Sequence, residues 1–328
     1  MSLGQDTSYW LAFLTASLTL RLTLFQRHNY VPFDKSFWCM RYYRVVDGCE
    51  SRLIARADKN TYDLTAAQSE VTGFINLART ASITNQTIDE VADTLITDAP
   101  AVDSEPLVRN ARLPIMAEEV WATGVTYRIS EEARESESAS PDVYQQVYDN
   151  DRPEIFFKAS PSRTVGPGEN VGIRTDSEWD VPEPELALVI YNGDIVGYTI
   201  GNDMSSRSIE EQNPLYLPQA KVYDRCCAIG PCVATSETIG NPHDLNIEMS
   251  ISRDERTVFE GSTTTAEMVK TCDDLATHLI KSNYIPEMAV LLTGTALVPD
   301  EDFTLHPGDE ININIKSIGV LTNAVCEV

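Results

Sequence analysis

Basic residues are scarce in this chain of 328 residues. Seven lysines and 18 arginines stand against 50 acidic residues, which gives a formal net charge of -25 and a pI near 4.4. Nucleic-acid phosphates and anionic lipid surfaces are bound by clustered lysine and arginine, so both kinds of partner are disfavoured. The charges are mixed with apolar runs, which indicates a folded protein rather than a disordered one. We therefore expect a carboxylate-rich surface, typical of a protein from a halophilic cytoplasm.

Paired cysteine motifs are also absent. The seven cysteines are odd in number and show no C-x-x-C spacing, which argues against a disulfide framework or a zinc knuckle. Free thiols in a reducing cytoplasm are the simplest interpretation. The adjacent Cys226 and Cys227 lie in an apolar stretch, and we interpret them as buried packing residues rather than as a nucleophile.

Residues 1–39 differ in composition from the rest of the chain. Residues 9–25 are apolar enough to imitate a signal sequence or a membrane helix, but Arg21 interrupts them and their length barely spans a bilayer. The segment holds two acids and three bases, which leaves 48 acids and 22 bases, a net charge of -26, for the remainder. We interpret it as a non-native upstream extension, with translation starting naturally at Met40. A genuine membrane anchor is the alternative.

The remainder is predicted to fold as an α+β protein built mainly on β-structure. Residues 40–114 are expected to form a small N-terminal domain that ends in a proline-containing linker. Residues 115–328 form the larger domain, where short strands bounded by glycine, proline, asparagine or aspartate predominate. Residues 192–194, with the sequence Asn-Gly-Asp, predict a hairpin turn, and residues 264–282 predict a long helix.

Three carboxylates are predicted to converge beside this hairpin. Glu183 and Glu185 are two residues apart at the start of an apolar strand, so their side chains point to the same side. Asp203 ends the next strand, which the hairpin returns antiparallel beside the first. Such carboxylates repel one another unless a cation neutralises them, and hard oxygen ligands suit Mg²⁺, Mn²⁺ or Ca²⁺ better than zinc. By spacing alone, ordinary strand-edge acids are an equally good explanation.

Several segments resemble motifs of the fumarylacetoacetate hydrolase family. Residues 182–187 resemble its metal-binding E-x-E strand, and residues 197–207 resemble the strand and loop that supply its third ligand. Residues 221–224 resemble its characteristic lysine segment, and residues 292–295 resemble the motif whose threonine contacts substrate. The resemblance implies a mixed β-sandwich roll with a small N-terminal α/β domain, a dimer or tetramer, and a magnesium-type site. The implied metal ligands are Glu183, Glu185 and Asp203.

One departure separates this chain from the hydrolases of that family. They carry a histidine on a lid, where it helps to activate water, whereas Ser130 stands at that place here. A hydroxyl does not accept protons near neutral pH as an imidazole does, so hydrolysis is disfavoured. Residues 124–127, 152–158 and 213–221 instead resemble the 2-keto-3-deoxy-pentonate dehydratase branch, which implies formation of 2-oxoglutarate semialdehyde. A hydrolase or decarboxylase that acts on a 2,4-dioxo acid is the alternative.

The implied dehydration needs a base and a proton donor. A 2-oxo acid that chelates a cation has acidified C3 protons, so a base removes one of them and the C4 hydroxyl leaves as water. Two lysines are expected to line the pocket, and two glutamates compete for the role of base. The candidate catalytic residues are Lys221, Lys158, Glu154 and Glu132, and the candidate substrate-binding residues are Arg207, Thr295 and Tyr127.

Overall fold

β-Strands account for most of the regular structure in residues 39–104, 110–127 and 150–328, the part of the chain that the computed structural model describes. The prediction of a mainly β protein is confirmed. In chain order the strands are β1 (Met40–Asp47), β2 (Glu50–Ala57), β3 (Asn60–Asp63), β4 (Ala111–Arg112), β5 (Glu119–Gly124), β6 (Glu154–Ala159), β7 (Thr164–Val165), β8 (Val171–Ile173), β9 (Asp180–Val181), β10 (Pro184–Tyr191), β11 (Asp194–Asp203), β12 (Ser205–Ser206), β13 (Cys227–Thr235), β14 (Asn246–Arg253), β15 (Arg256–Thr264), β16 (Met288–Leu292), β17 (Glu310–Ile315) and β18 (Gly319–Glu327).

The helices of the same residues are short. The α-helices are α1 (Leu64–Ala67), α2 (Phe74–Thr84), α3 (Ile88–Ile96), α4 (Arg207–Glu210), α5 (Leu217–Lys221), α6 (Ser236–Ile239) and α7 (Cys272–Ile280), and 3₁₀ turns cover Pro161–Arg163, Pro214–Tyr216 and Thr265–Glu267. Within the described residues, none of these helices combines the length and the apolar character needed to cross a membrane. Residues 1–38, which include most of the predicted upstream extension, lie outside the described residues.

Two sheets carry the fold. The larger has the strand order β3-β2-β1-β13-β11-β10-β16-β5-β6, with β4 added beside β1 and β7 beside β13. The smaller has the order β15-β14-β17-β18-β8, and β9 pairs separately with β12. The core lies around β10, whose eight residues are all buried because apolar neighbours cover both of its faces.

The predicted hairpin between β10 and β11 is confirmed. Asn192 and Gly193 both have positive φ, 49° and 92°, and Tyr191 pairs with Asp194. Left-handed backbone at both central positions belongs to the tight turn that matches the twist of antiparallel strands. The resulting register places the end of β11 beside the start of β10, where the Asp203 N–H donates to the Glu183 carbonyl at 2.9 Å.

The N-terminal strands join the same large sheet. β1 pairs antiparallel with β2 on one side and with β13 on the other. The Met40 N–H also donates to the Thr238 hydroxyl at 2.7 Å. Hydrogen bonding therefore continues across the predicted domain boundary at residue 114, and the division into two domains stays a prediction.

Two local predictions need correction. The long helix predicted for residues 264–282 is wrong in its first half, where β15 ends, a 3₁₀ turn follows, and α7 begins only after Thr271. The β-branched threonines of residues 263–265 favour a strand, and the Thr271 hydroxyl caps the helix by accepting from the Asp274 N–H at 3.1 Å. Strand β13 was not among the predicted strands, and it contains Pro231, which lacks an N–H. A register shift in the partner strand accommodates the proline.

Candidate active site

Three buried carboxylates meet where β10 begins and β11 ends. Glu183, Glu185 and Asp203 are 2%, 1% and 1% exposed, and one oxygen from each lies within 4.8 Å of the others. The alternation of a strand aims the first two side chains at one side, and the antiparallel hairpin adds the third. The convergence predicted from the spacing of these residues is confirmed. Their role as metal ligands stays a prediction.

Lys221 lies against two of these carboxylates. It is the last residue of α5, and its Nζ lies 2.6 Å from Glu183 Oε2 and 3.5 Å from Asp203 Oδ2. The same ammonium donates to the Ser205 hydroxyl at 2.6 Å. Lys221 also lines the adjacent pocket, together with Glu183 and Glu185.

Lys158 contacts Asp203 from the opposite side. It belongs to β6, is fully buried, and its Nζ lies 2.6 Å from Asp203 Oδ1. The ammonium also donates to the carbonyl oxygens of Met204, at 2.8 Å, and Lys221. Burial is the largest single influence and lowers the pKa of Lys158, but the charges of Asp203, Cys226 and Cys227 together raise it above its ordinary value. Among the described residues, Lys158 is not part of the pocket wall, unlike the placement predicted from the sequence.

Glu185 is the carboxylate that lacks a cationic partner within the described residues. Its Oε2 accepts from the Gly294 N–H at 2.5 Å, whereas its buried Oε1 has no hydrogen-bond partner there. Burial raises the pKa of Glu185 well above its ordinary value, and the charges of Asp203 and Glu183 raise it further. Gly294 has a φ of +85°, and a Cβ there would lie 2.1 Å from the Thr126 hydroxyl oxygen, so a residue with a side chain would not fit.

This arrangement fits a hard divalent cation. A cation bound to the three carboxylates would occupy the orphaned oxygen of Glu185 and reverse the repulsion that raises its pKa. The three clustered carboxylates, Glu210 and Glu154 carry five formal negative charges, against three positive charges on Lys158, Lys221 and Arg207. A divalent ion would change this balance from -2 to 0, which removes the net repulsion of an anionic substrate.

A pocket opens beside the carboxylates. Its wall includes Glu183 and Glu185 of the cluster, together with Glu154, Phe156 and Thr295. Glu154 pairs with Gly124 across β5 and β6, and a Cβ on Gly124 would lie only 1.9 Å from Glu154 Oε2. The glycine therefore gives the Glu154 carboxylate room to fold back towards the pocket.

Arg207 lies behind the cluster as a bridge between two acids. Its side chain is 7% exposed, with Nη2 at 3.0 Å from Glu183 Oε1 and Nη1 at 3.5 Å from Glu210 Oε2. The Arg207 N–H donates to the Trp179 carbonyl at 2.8 Å, which anchors the start of α4. Glu210 also lines the pocket. Sequence reasoning missed it, although its position three residues after an arginine in the motif loop was an available signal.

The remaining residues singled out in the sequence fall into four groups. Thr295 lines the pocket, and its hydroxyl accepts from the Leu297 N–H at 3.1 Å. Tyr127 is fully buried, and burial followed by the nearby charge of Glu185 raises its pKa. Glu132 and Ser130 lie outside the described residues. Cys226 and Cys227 are buried free thiols, as predicted.

Fold and site together define the class of the protein. The family model described as fumarylacetoacetate (FAA) hydrolase C-terminal matches residues 119–326, which contain the carboxylate cluster, its basic partners and the pocket wall. The chain belongs to the fumarylacetoacetate hydrolase family, as the resemblance of its motifs implied.

Individual relatives are similar over most of the chain. A probable 2-keto-3-deoxyxylonate dehydratase of Haloferax volcanii is 55% identical over 289 residues, 88% of this chain and 100% of the relative. A 2-dehydro-3-deoxy-D-arabinonate dehydratase of Saccharolobus solfataricus is 46% identical over 65% of this chain and 73% of its own length. A solved 2-keto-3-deoxy-D-arabinonate dehydratase complexed with magnesium and 2,5-dioxopentanoate is 37% identical, with a TM-score of 0.76 over 88% of this chain and 99% of that one.

Proposed function

We propose that the protein is a magnesium-dependent hydro-lyase that converts a 2-keto-3-deoxy-pentonate to 2-oxoglutarate semialdehyde in oxidative pentose degradation. The observation that carries the proposal is the buried cluster of Glu183, Glu185 and Asp203, of which Glu183 and Glu185 line a pocket. The names of the Haloferax and Saccharolobus relatives support the reaction. The magnesium and 2,5-dioxopentanoate in the similar solved structure support the cofactor and the product, because 2,5-dioxopentanoate is the same compound as 2-oxoglutarate semialdehyde.

The three carboxylates would hold Mg²⁺, with Mn²⁺ or Ca²⁺ as possible substitutes. Glu185 contributes an oxygen that has no hydrogen-bond partner among the described residues, which is the property expected of a ligand. When bound, the cation acts as a Lewis acid that polarises the carboxylate and keto oxygens of a 2-oxo acid and acidifies the C3 protons. The Gly294 N–H and Lys221 hold the other oxygens of the ligands in place.

Glu154 is positioned to act as the base. It lies at the pocket wall, and its carboxylate occupies the space that Gly124 leaves open. Removal of a C3 proton and loss of the C4 hydroxyl as water leave a double bond between C3 and C4. Proton shifts from C5 and its hydroxyl to C3 and C4 then give the aldehyde, so all atoms of the pentonate are accounted for. Glu132 remains the rival for the role of base.

Lys221 is positioned to donate the proton that the leaving hydroxyl requires. Its ammonium lies at the pocket wall and already donates to Glu183 and Ser205, so it is held in one orientation. Thr295 and Arg207 are proposed to support substrate binding, Thr295 from the pocket wall and Arg207 by bracing Glu183. Tyr127 is also proposed to bind substrate. Its side chain is fully buried, so a local rearrangement would have to expose it first.

A direct comparison of substrates tests the proposal. The magnesium-loaded protein is incubated with 2-keto-3-deoxyarabinonate, 2-keto-3-deoxyxylonate and acetylpyruvate, and products are identified by mass spectrometry. We expect 2-oxoglutarate semialdehyde from at least one pentonate. Cleavage of acetylpyruvate without any dehydration of the pentonates would instead support the hydrolase.

The metal site is tested by the Glu185→Gln variant. Glutamine keeps the shape and the hydrogen bond to the Gly294 N–H, but it removes the charge. We expect magnesium-dependent turnover to fall by about 100-fold or more, as for loss of a metal ligand, with little change in circular dichroism. The matched control is Glu178→Gln, an exposed acid outside the pocket wall. Wild-type activity in Glu185→Gln would contradict the site.

We also propose a cytoplasmic, salt-adapted homo-oligomer. The 50 acidic residues against 25 basic ones support salt adaptation, and the seven free cysteines support a reducing compartment. Light scattering of the purified protein would measure the oligomeric state, for which we expect a dimer or tetramer. Full stability and activity in low-salt buffer would contradict salt adaptation.

A further inference from the structure

Glu210 is a pocket carboxylate that does not belong to the metal cluster. It is 4% exposed at the end of α4, and it lines the pocket with Glu154, Phe156 and Leu217. One guanidinium, that of Arg207, contacts both Glu183 and Glu210. Glu183 and Glu210 therefore share one guanidinium, so Glu210 lies near the chelating end of the pocket without being one of the three clustered carboxylates.

The position of Glu210 matches the tail of a bound 2-oxo acid. The carboxylate and keto oxygens of such an acid would face the three metal-binding carboxylates. The rest of the molecule would extend along the wall formed by Glu154, Glu210, Phe156 and Leu217. A carboxylate in this position accepts hydrogen bonds from hydroxyl groups and repels a second carboxylate.

The cations of the site are already engaged. Among the described residues, Lys221 is the basic side chain on the pocket wall, and it contacts Glu183 and Ser205. Arg207 contacts Glu183 and Glu210. Within the described part of the chain, a substrate with a carboxylate at its far end would therefore meet Glu210 without a cation dedicated to its charge.

We infer that Glu210 is a specificity-determining residue that selects 2-oxo acids with an uncharged, hydroxylated tail and rejects 2-oxo diacids. The hydroxyl groups at C4 or C5 of a 2-keto-3-deoxy-pentonate would donate to Glu210. This inference rests on the proposed function, because it assumes that a 2-oxo acid binds with its keto end at the carboxylate cluster.

Two ligands of equal chain length test the charge selection. We propose isothermal titration calorimetry of the full-length, magnesium-loaded protein with 2-oxopentanoate and 2-oxoglutarate. The first acid ends in a methyl group and the second ends in a carboxylate. The variants are Glu210→Gln and, as a matched control, Glu211→Gln, which makes the same charge change at the next, exposed position. Steady-state kinetics with 2-keto-3-deoxyarabinonate provide the second measurement.

We expect the wild-type protein and Glu211→Gln to bind 2-oxopentanoate more tightly than 2-oxoglutarate. Glu210→Gln should shift the ratio of the two dissociation constants by about tenfold or more in favour of 2-oxoglutarate, since it removes a like charge. The same variant should raise KM for the pentonate more than it lowers kcat, because a hydrogen bond to the substrate tail contributes to ground-state binding.

Several outcomes would overturn the inference. A shift smaller than about twofold would do so, as would equal weakening of both ligands, because Glu210 would then only support Arg207. If Glu210→Gln does not fold, the wild-type protein still decides: tighter binding of 2-oxoglutarate than of 2-oxopentanoate contradicts the selection. A wild-type protein that discriminates between the two acids but does not dehydrate pentonates would refute the proposed function while supporting the role of Glu210. Binding of neither acid would overturn the inference, whereas the proposed function would still be decided by whether the pentonates are dehydrated.

Discussion

Replacement of Lys158 by methionine should destabilise the protein because the lysine neutralises a buried acid. Its fully buried ammonium lies 2.6 Å from Asp203 Oδ1 and donates to the carbonyl oxygens of Met204 and Lys221. Methionine has a similar volume but no charge and no donor. Asp203 would retain only the longer contact with Lys221, at 3.5 Å, among the ion pairs of the described residues.

The size of this effect follows from the burial of both partners. Removing one member of a buried ion pair typically costs about 3–5 kcal/mol, because the other charge is left without compensation. With roughly 2 °C of Tm per kcal/mol for a domain of this size, Lys158→Met should melt about 6–10 °C below the wild type without metal. Added Mg²⁺ should restore part of the loss, because a cation at the carboxylates neutralises Asp203.

Thermal unfolding followed by circular dichroism, with and without Mg²⁺, measures this effect. Lys316→Met, which removes an exposed lysine, is the control and should melt within about 1 °C of the wild type. Residual activity of Lys158→Met should keep the pH dependence of the wild type, because Lys158 is not part of the described pocket wall. A variant as stable as the control, or one with a displaced pH profile, would refute the reasoning.

The remaining predictions concern the base and a pH-sensitive contact. Gly124→Ala should lower kcat by about tenfold or more, because the added Cβ would displace Glu154. The Mg²⁺ affinity of this variant, measured by titration calorimetry, should be unchanged because the Cβ does not reach the predicted metal ligands. Loss of metal binding would contradict this prediction. Burial raises the pKa of Asp89 to about 6 despite hydrogen bonds from Tyr42 and Thr235, so its stabilising contribution is complete below its ordinary pKa of 3.8 and is lost as the pH rises through about 6. As the pH rises from 4 to 7, the free energy of unfolding of Asp89→Asn, measured with urea, should therefore increase by about 1–3 kcal/mol relative to that of the wild type. The control variant Asp93→Asn should show the same pH dependence as the wild type. If the free energies of unfolding of Asp89→Asn and the wild type changed in parallel with pH, the raised pKa of Asp89 would be refuted.

The carboxylate cluster could be predicted because its determinants are local in sequence. The spacing of Glu183 and Glu185 sets their common side, and the Asn-Gly turn at residues 192–193 sets the register that brings Asp203 beside them. These relations depend on strand alternation and turn geometry, which act over about 20 residues or fewer here.

Features that depend on distant contacts could not be predicted in the same way. α4 has four residues, too few for a periodic pattern, so only the tertiary structure shows that Glu210 is buried at the pocket. Lys158 was expected to line the pocket, but in the structure its fully buried ammonium contacts Asp203 instead. No local sequence pattern predicts how deeply a lysine on a strand is buried. The Gly230-Pro231 pair within β13 gives no local signal for a strand, because proline normally argues against a central strand.

The pairing of β1 with β13 has a consequence for dissection of the protein. β13 lies between β1 and β11, the strand that ends at Asp203. A fragment limited to residues 119–326 would retain the whole carboxylate cluster but would leave Val233 and Ala234, near the end of β13, without their β1 partners. Unpaired strand edges recruit other chains, so such a fragment is expected to self-associate or precipitate. The amino-terminal strands thus act as a protective cover for the sheet that carries the chemistry.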